Sequence, residues 1–561
     1  MMKLKKQMRN FFKILVLSAF LFSCSVKKSI NDRPDISQFK LTNTPKIMVN
    51  DSLFFKGNNS LRKNKFGQWE LVASGNNSYD LGNNIGDLTQ DLAQNQERIF
   101  LDKVNQIVPS KFKQWLLRKF LAIYNRKIYL YVNEEYKAEI YGISQYASDE
   151  YNDIADKYLL SLYLHSAHDI GHALQDLALV GCSSFAVWGN KTPDGDLLIA
   201  RNFDFYAGDA FAKEKIISFI QPEKGYKFMS VSWAGIIGVM SGMNEKGLTV
   251  TINAGKSDIP LVAKTPISLV TREILQYAST IEEAIAIAKT KSVFVSEAIM
   301  VGSAIDNKAV LIELSPYNFG VYQVQNTSEL ICANHFQSNA YKEDKENKKW
   351  IAESHSQYRY DRMIELLNKK QQITPKKAVE ILRNKDGLHD KKIGYGNEKA
   401  LNQLIAHHGI VFQPKKKLVY VSSNPYQLGA FVAFQLDSVF KNKTTKRVTL
   451  SEKELSIAKD SFIETTTYKN YEKYRVESRE IEKIIKDKGH LNSNKLNNFI
   501  ALNPEAWQVY YFTGKYYYQN KFYRAALGYF EKALTKEITT VPDKENIKKY
   551  IKKIKRKLND F

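Results

Sequence analysis

The chain has 561 residues, with 82 Lys and Arg against 59 Asp and Glu, so its formal net charge is +23. Hydrophobic residues make up 44%, aromatics 12% and charged residues 25%, a globular composition that excludes wholesale disorder or a fibrous repeat. Three cysteines in this length exclude a disulfide-stapled scaffold, and the basic total carries no nucleic-acid motif with it.

Residues 1–13 hold Lys3, Lys5, Lys6, Arg9 and Lys13 and no acid, and Ile14 to Phe22 are almost wholly apolar. A basic stretch, an apolar run too short to span a bilayer and small residues after it read as an export signal. The closing Leu21-Phe22-Ser23-Cys24 resembles the lipobox of bacterial lipoproteins. That resemblance implies loss of residues 1–23, lipidation of Cys24 and attachment to a membrane of the cell envelope, the outer membrane being the expected one. No later segment reaches 18 apolar residues, which leaves the rest outside the bilayer.

Residues 24–65 are polar and mixed and read as a tether. Residues 66–181 are mostly helical in pattern, as at Phe112 to Ile123 and Tyr151 to Leu179. From 182 the period shortens. Ser184 to Trp188 and Leu197 to Ala200 flank Pro193-Asp194-Gly195-Asp196, a hairpin signal. Further strands are expected at Lys227–Trp233, Ile236–Met240, Leu248–Asn253, Ala298–Ala304, Ala309–Leu314, Ile410–Phe412 and Leu418–Val421, with helices near 265–290, 357–370 and 375–384. Strands with helices inserted in blocks indicate an α+β fold over 182–445. Residues 446–561 are helical, aromatic and lysine-rich. Gly514, Tyr517, Ala526, Phe530 and Ala533 fit the small/aromatic spacing of one tetratricopeptide (TPR-like) hairpin, a surface that could serve a protein partner. A single such unit cannot bury its own face and must pack on its neighbours. The last helix, with Lys548-Lys549 and Lys555-Arg556-Lys557, has a solvated basic face.

The junction at 181/182 carries the chemistry. Gly181-Cys182-Ser183-Ser184 opens the first strand, and the hairpin folds Arg201 and Asp204 back towards Cys182. A nearby arginine favours thiolate, and an aspartate can hold an ammonium group. Taken singly, a cysteine before a strand is a core residue and an Arg/Asp pair is an ion pair.

Together these residues resemble the choloylglycine-hydrolase-like N-terminal-nucleophile (Ntn) hydrolases, closest to the acyl-CoA:6-aminopenicillanate acyltransferase family. The motifs are Gly181 to Ala186, Ala200 to Phe205, Ser232 to Gly235, Gly242 to Leu248, Ala333 to Phe336, Ser356 to Arg359 and His408 to Phe412. Upstream, Tyr79 to Gly82, Ile85-Gly86, Glu134 to Tyr136 and Gly142-Ile143 resemble the family's prosegment. The resemblance implies a four-layer αββα sandwich and self-cleavage between Gly181 and Cys182. It also implies amide hydrolysis or acyl transfer on a small N-acyl compound through a Cys182 thioester, without a cofactor. By the same resemblance Asp204 positions the new α-amino group, Arg201 stabilises thiolate, Asn253 and Asn334 donate to oxyanion and substrate, and Arg359 lies near the site. Ala254, where the ceramidase branch carries glutamate, leans towards the acyltransferase and acylase branch.

Two other readings stand beside this one. The first is an idle Ntn fold acting as a binding module. The second is a zinc protein using His165, His168, Asp169 and His172, which share one helical face but lack the glutamate of a zinc-protease motif. His407-His408 fits a hydrogen-bonded pair before a strand, and Cys332, in an apolar run, fits a core thiol.

Overall fold

The computed structural model describes residues 26–166, 169, 181–206, 208–257, 262–441 and 449–559. Cys24, His168 and His172 therefore lie outside the described residues. Among these, no helix is long and apolar enough to cross a membrane.

Two antiparallel-rich sheets form the centre. The larger runs β1 (Lys46–Asn50), β2 (Leu53–Lys56), β3 (Asn59–Lys63), β4 (Trp69–Ser74), β7 (Ile216–Gln221), β8 (Phe228–Ser232), β9 (Ser241–Asn244), β10 (Leu248–Ala254), β11 (Glu297–Ser303), β12 (Lys308–Leu314) and β13 (Phe319–Tyr322). The smaller runs β14 (Glu329–Cys332), β5 (Ser183–Val187), β6 (Leu198–Phe203), β15 (His408–Gln413), β16 (Leu418–Ser422), β17 (Phe431–Gln435) and β18 (Ser451–Ile457). Met229, Met243, Met300 and Leu311 of the first sheet meet Ile199, Leu330, Ile410 and Val419 of the second in one buried layer. Strand alternation then sends Leu198, Ala200, Val411 and Ala433 to the opposite face, against the helices Ser356–Asn368 and Pro375–Leu382. The outer face of the first sheet packs on Ile267–Tyr277 and Ile281–Lys289 and on the N-terminal helices Ser78–Ile107, Glu134–Ser144 and Lys157–His165. The layers are helix, sheet, sheet, helix, an α+β fold with a helical C-terminal region.

Three expectations are corrected. Residues 46–63, expected within a tether, form β1 to β3, and β4 pairs in parallel with β7, so the N-terminal segment extends the larger sheet. The signal was diluted because this is an edge: Ile47, Met48 and Val49 are more than half exposed and alternate with nothing. Ile236–Met240, buried from Ile237 onward, forms no strand, because Gly235 turns the chain at φ +85° and pairing resumes only at Ser241. β18 adds to the small sheet beyond residue 445, so the helical region starts later than expected.

Glycines dictate how the N-terminal helices sit. A Cβ on Gly82 would stand 2.0 Å from the Glu139 carbonyl oxygen, and one on Gly142 2.5 Å from that of Tyr79, so only glycines permit this crossing. Arg272 of the helix Ile267–Tyr277 then meets Glu139 in a fully buried two-bond pair, 2.9 and 3.2 Å, with its guanidinium over Tyr136 and Phe228. Burial raises the Glu139 carboxyl and Arg272 offsets this.

The helices Thr466–Lys486, Ser493–Leu502, Trp507–Gln519, Tyr523–Leu534 and Val541–Asn559 form a separate core that also takes in Leu404 and Leu428 of the sheet region. Gly514 lies against the Phe530 ring, and Ala526 and Ala533 are buried beside it, while Tyr517 is half-buried and stacks on Tyr529.

Losing one partner of the Arg272–Glu139 pair leaves a buried charge unmatched. Arg272→Leu is expected to lower unfolding free energy by about 3–5 kcal/mol in a denaturant titration, and adding Glu139→Leu to recover part of that loss.

Candidate active site

Cys182 immediately precedes β5 and is 1% exposed. β5 pairs with β6 so that Ser183 faces Asn202 and Ser184 faces Arg201. That register brings Arg201 Nη2 to 3.6 Å from Cys182 Sγ. The guanidinium is otherwise held by the first sheet: Nη1 donates to Met240 O at 3.0 Å and Ser241 Oγ at 2.5 Å, and Nη2 to Ile252 O. Phe203 underlies it at 4.2 Å. Burial pushes the Cys182 thiol up, with Arg201 opposing.

Asp204 follows β6, and its backbone oxygen accepts from Gly181 N at 3.4 Å. Its carboxylate is fully buried, and neither oxygen has a hydrogen-bond partner among the described residues. Burial raises its pKa to about 7 against the pull of Arg359 and Arg201. A bare carboxylate beside a buried cysteine is a place prepared for a donor.

Arg359 comes from the first turn of the helix Ser356–Asn368. It donates to Cys182 O, to Ser183 Oγ at 2.9 Å and to Asn334 Oδ1 at 2.6 Å, and lies 3.1 Å from His355 Nδ1. Burial lowers it to about 10. Asn334 gives one amide hydrogen to Ala254 O at 3.0 Å. Asn253 instead bridges the sheets: its Oδ1 accepts from Ser184 Oγ at 2.8 Å, and its Nδ2 donates to Cys332 O and Ala333 O at 3.2 and 3.1 Å. Both Asn253 amide hydrogens are therefore committed to backbone, while Asn334 keeps one. Cys182, Arg201, Asp204, Asn334 and Arg359 converge, with Asn253 as a stitch beneath them.

Three features escaped sequence reasoning. Ser241 joins Arg201 to the buried pair His408 and His407: Ser241 Oγ lies 2.9 Å from His408 Nε2, and the two Nδ1 atoms are 2.9 Å apart. His355 supports Arg359 from four residues earlier on the helix, a spacing that could have flagged it. Gln403 carries no motif, yet its Nε2 donates to Gly181 O at 2.8 Å.

The histidine cluster looks different in space. His165 Nδ1 lies 2.8 Å from Ser161 O and its Nε2 accepts from Ile237 N at 3.0 Å, which uses both ring nitrogens. Asp169 accepts from Ile267 N at 2.7 Å. Cys332 is a buried thiol directed at Ala333 O.

Residues 190–424 match the family described as acyl-coenzyme A:6-aminopenicillanic acid acyl-transferase; the match begins inside the hairpin that follows Cys182. An uncharacterized protein of Archaeoglobus fulgidus is 28% identical over 229 residues, 38% of this chain, and the match spans only 37% of that protein's length. Among solved structures, the Caenorhabditis elegans ortholog of N-acylethanolamine-hydrolyzing acid amidase is 18% identical at TM-score 0.32, covering 42% of this chain and 93% of that one. A mutant of conjugated bile acid hydrolase from Clostridium perfringens is 15% identical at TM-score 0.32, covering 48% and 96%. The β-rich region is thus similar to that acyl-transferase family over a span that contains Arg201, Asp204, Asn334 and Arg359.

Proposed function

We propose that this chain is a cysteine Ntn amidohydrolase or acyltransferase that cleaves itself between Gly181 and Cys182. The buried carboxylate of Asp204 at that junction, without a hydrogen-bond partner among the described residues, carries the reading. Cleavage frees the α-amino group of Cys182, whose ordinary pKa near 8 lets it act as a base close to neutral pH. As an ammonium it fills the vacancy at Asp204, which would draw the carboxyl back down from about 7. Cys182 Sγ, beside Arg201, attacks the amide carbonyl of a small N-acyl compound. The amine leaves with a proton, and water or another acceptor resolves the thioester. Of the two asparagines, Asn334 is the one with an amide hydrogen to give an oxyanion, worth about 3 kcal/mol.

The acyl group is apolar in this reading. A cavity lined by Phe100, Ile143, Leu164, Phe205, Phe211 and Trp233 opens one residue beyond Asp204, and Phe205 and Trp233 stack face to face across it. Glu97 in its wall is raised to about 7 by burial. The chain would work tethered through Cys24 to an envelope membrane, a reading that rests on the sequence Leu21 to Cys24 alone.

Intact mass of the purified full chain should show two polypeptides, the second beginning at Cys182, and Cys182→Ala should remain one chain. A wild-type chain that stays whole would sink the reading. Asn334→Ala is expected to lower kcat on an N-acyl substrate by about 100-fold and also to lower Tm, because the buried Arg359 loses its acceptor, whereas Asn253→Ala should appear first as a drop in Tm. Self-cleavage needs Asp204 ionised to accept a proton, so its rate should rise with pH through about 7. Asp204→Asn should flatten that rise.

A further inference from the structure

Gln403 lies on the connection into β15 and is 2% exposed. The loop is tied down on both sides of it. Asn202 Nδ2 donates to Leu401 O at 2.9 Å, Asn402 N donates to Asn384 O at 2.8 Å, and His407 N donates to Phe203 O at 2.8 Å. Leu404, buried, takes a left-handed φ of +56°, and its N–H is held by Asn402 Oδ1 at 3.1 Å. A bulky residue accepts that conformation only where its surroundings demand it. The result is a fixed side-chain amide aimed at one atom, Gly181 O, at 2.8 Å. A carbonyl oxygen only accepts, so the amide's nitrogen end must face it. Gly181 is glycine for the same reason: a Cβ there would stand 2.1 Å from Gln403 Nε2.

We infer that Gln403 is the oxyanion donor for self-cleavage, a catalytic residue of the maturation step and distinct from the donors used on substrate. This rests on the self-cleavage proposed above. In the step, Cys182 Sγ forms a bond to the Gly181 carbonyl carbon through a five-membered ring, and its thiol proton passes to the Asp204 carboxylate. The Gly181 oxygen becomes an oxyanion while the Gln403 hydrogen bond shortens onto it. The C–N bond then breaks, the nitrogen takes the proton from Asp204, and a thioester joins Gly181 to Cys182 Sγ. Water hydrolyses the thioester, leaving the Gly181 carboxylate and a free thiol. The donor already holds the ground-state Gly181 oxygen at 2.8 Å, so only a small adjustment follows it as charge develops.

The test follows loss of the full-length chain by denaturing gel and intact mass after pulsed synthesis, in wild type, Gln403→Met, Gln403→Ala and Cys182→Ala. Both Gln403 variants should cleave about 100-fold or more slowly than wild type. Met keeps the volume, and melting curves on the uncut chains show that they are folded. Hydroxylamine, which cleaves thioesters, should not speed them, because the thioester itself fails to form. Folded variants that cleave at the wild-type rate overturn the assignment. So does prompt cleavage by hydroxylamine, which would put Gln403 after thioester formation. A wild-type chain that never cleaves is a different failure: it overturns the self-cleavage reading beneath this one.

Discussion

Everything at the site follows from the pairing register of β5 and β6. With Ser183 opposite Asn202, alternation turns Arg201 into the space between the sheets and Asn202 towards the outer helices. A guanidinium between two sheets is costly unless its hydrogens are taken, and the first sheet supplies carbonyls from Met240 and Ile252 and the hydroxyl of Ser241. The charge thereby becomes a fixed part of the core, with Nη2 also at the Cys182 sulfur and Nε without a partner among the described residues. A slip of one residue would swap the two side chains and abolish the site.

Arg359 approaches the same cysteine from the other layer. It holds the Cys182 carbonyl and the Ser183 hydroxyl, so the backbone on the downstream side of the junction is clamped while Gln403 clamps the upstream side. Two buried arginines now face the buried carboxylates of Asp204 and, from β11, Glu297. Burial opposes every charge here, which is why Asp204 and Cys182 are raised and both arginines lowered. Such a pocket favours any change that adds negative charge near the arginines, and both thiolate and oxyanion are such changes.

What was legible in the sequence was what is local. The hairpin around Gly195 and the helices after Pro266 and Thr374 announce themselves by turn chemistry and periodicity, while Cys182, Arg201 and Asp204 stand out only through their resemblance to a known family. The illegible parts depend on distant partners. Asn253 reads as a donor by its place in a motif, but its strand register commits it to the carbonyls of β14 and its loop. Gln403 lies more than two hundred residues from the bond it touches and in no periodic segment. β1, at the sheet edge, looks like tether because its residues are mostly exposed, and the short strands β2 and β3 beside it share that look. Gly82 and Gly142, by contrast, were visible as motif residues, and their reason, a close helix crossing, appears only in three dimensions.

The C-terminal helices belong to this account rather than beside it. Arg475 of Thr466–Lys486 donates to Asp209 and to the hydroxyl of Tyr426, and lies 3.3 Å from that of Tyr206, which itself bonds Asp209 at 2.9 Å. Tyr206 is two residues past Asp204. Leu404, one residue past Gln403, is buried in the same helical core. Both segments that flank the 181/182 junction are therefore backed by the helical region, one by a charge-assisted cluster and one by apolar packing. Loops are ordinarily the softest part of a fold, and a site that works by preset distances needs them stiff. The helical region supplies that stiffness from behind.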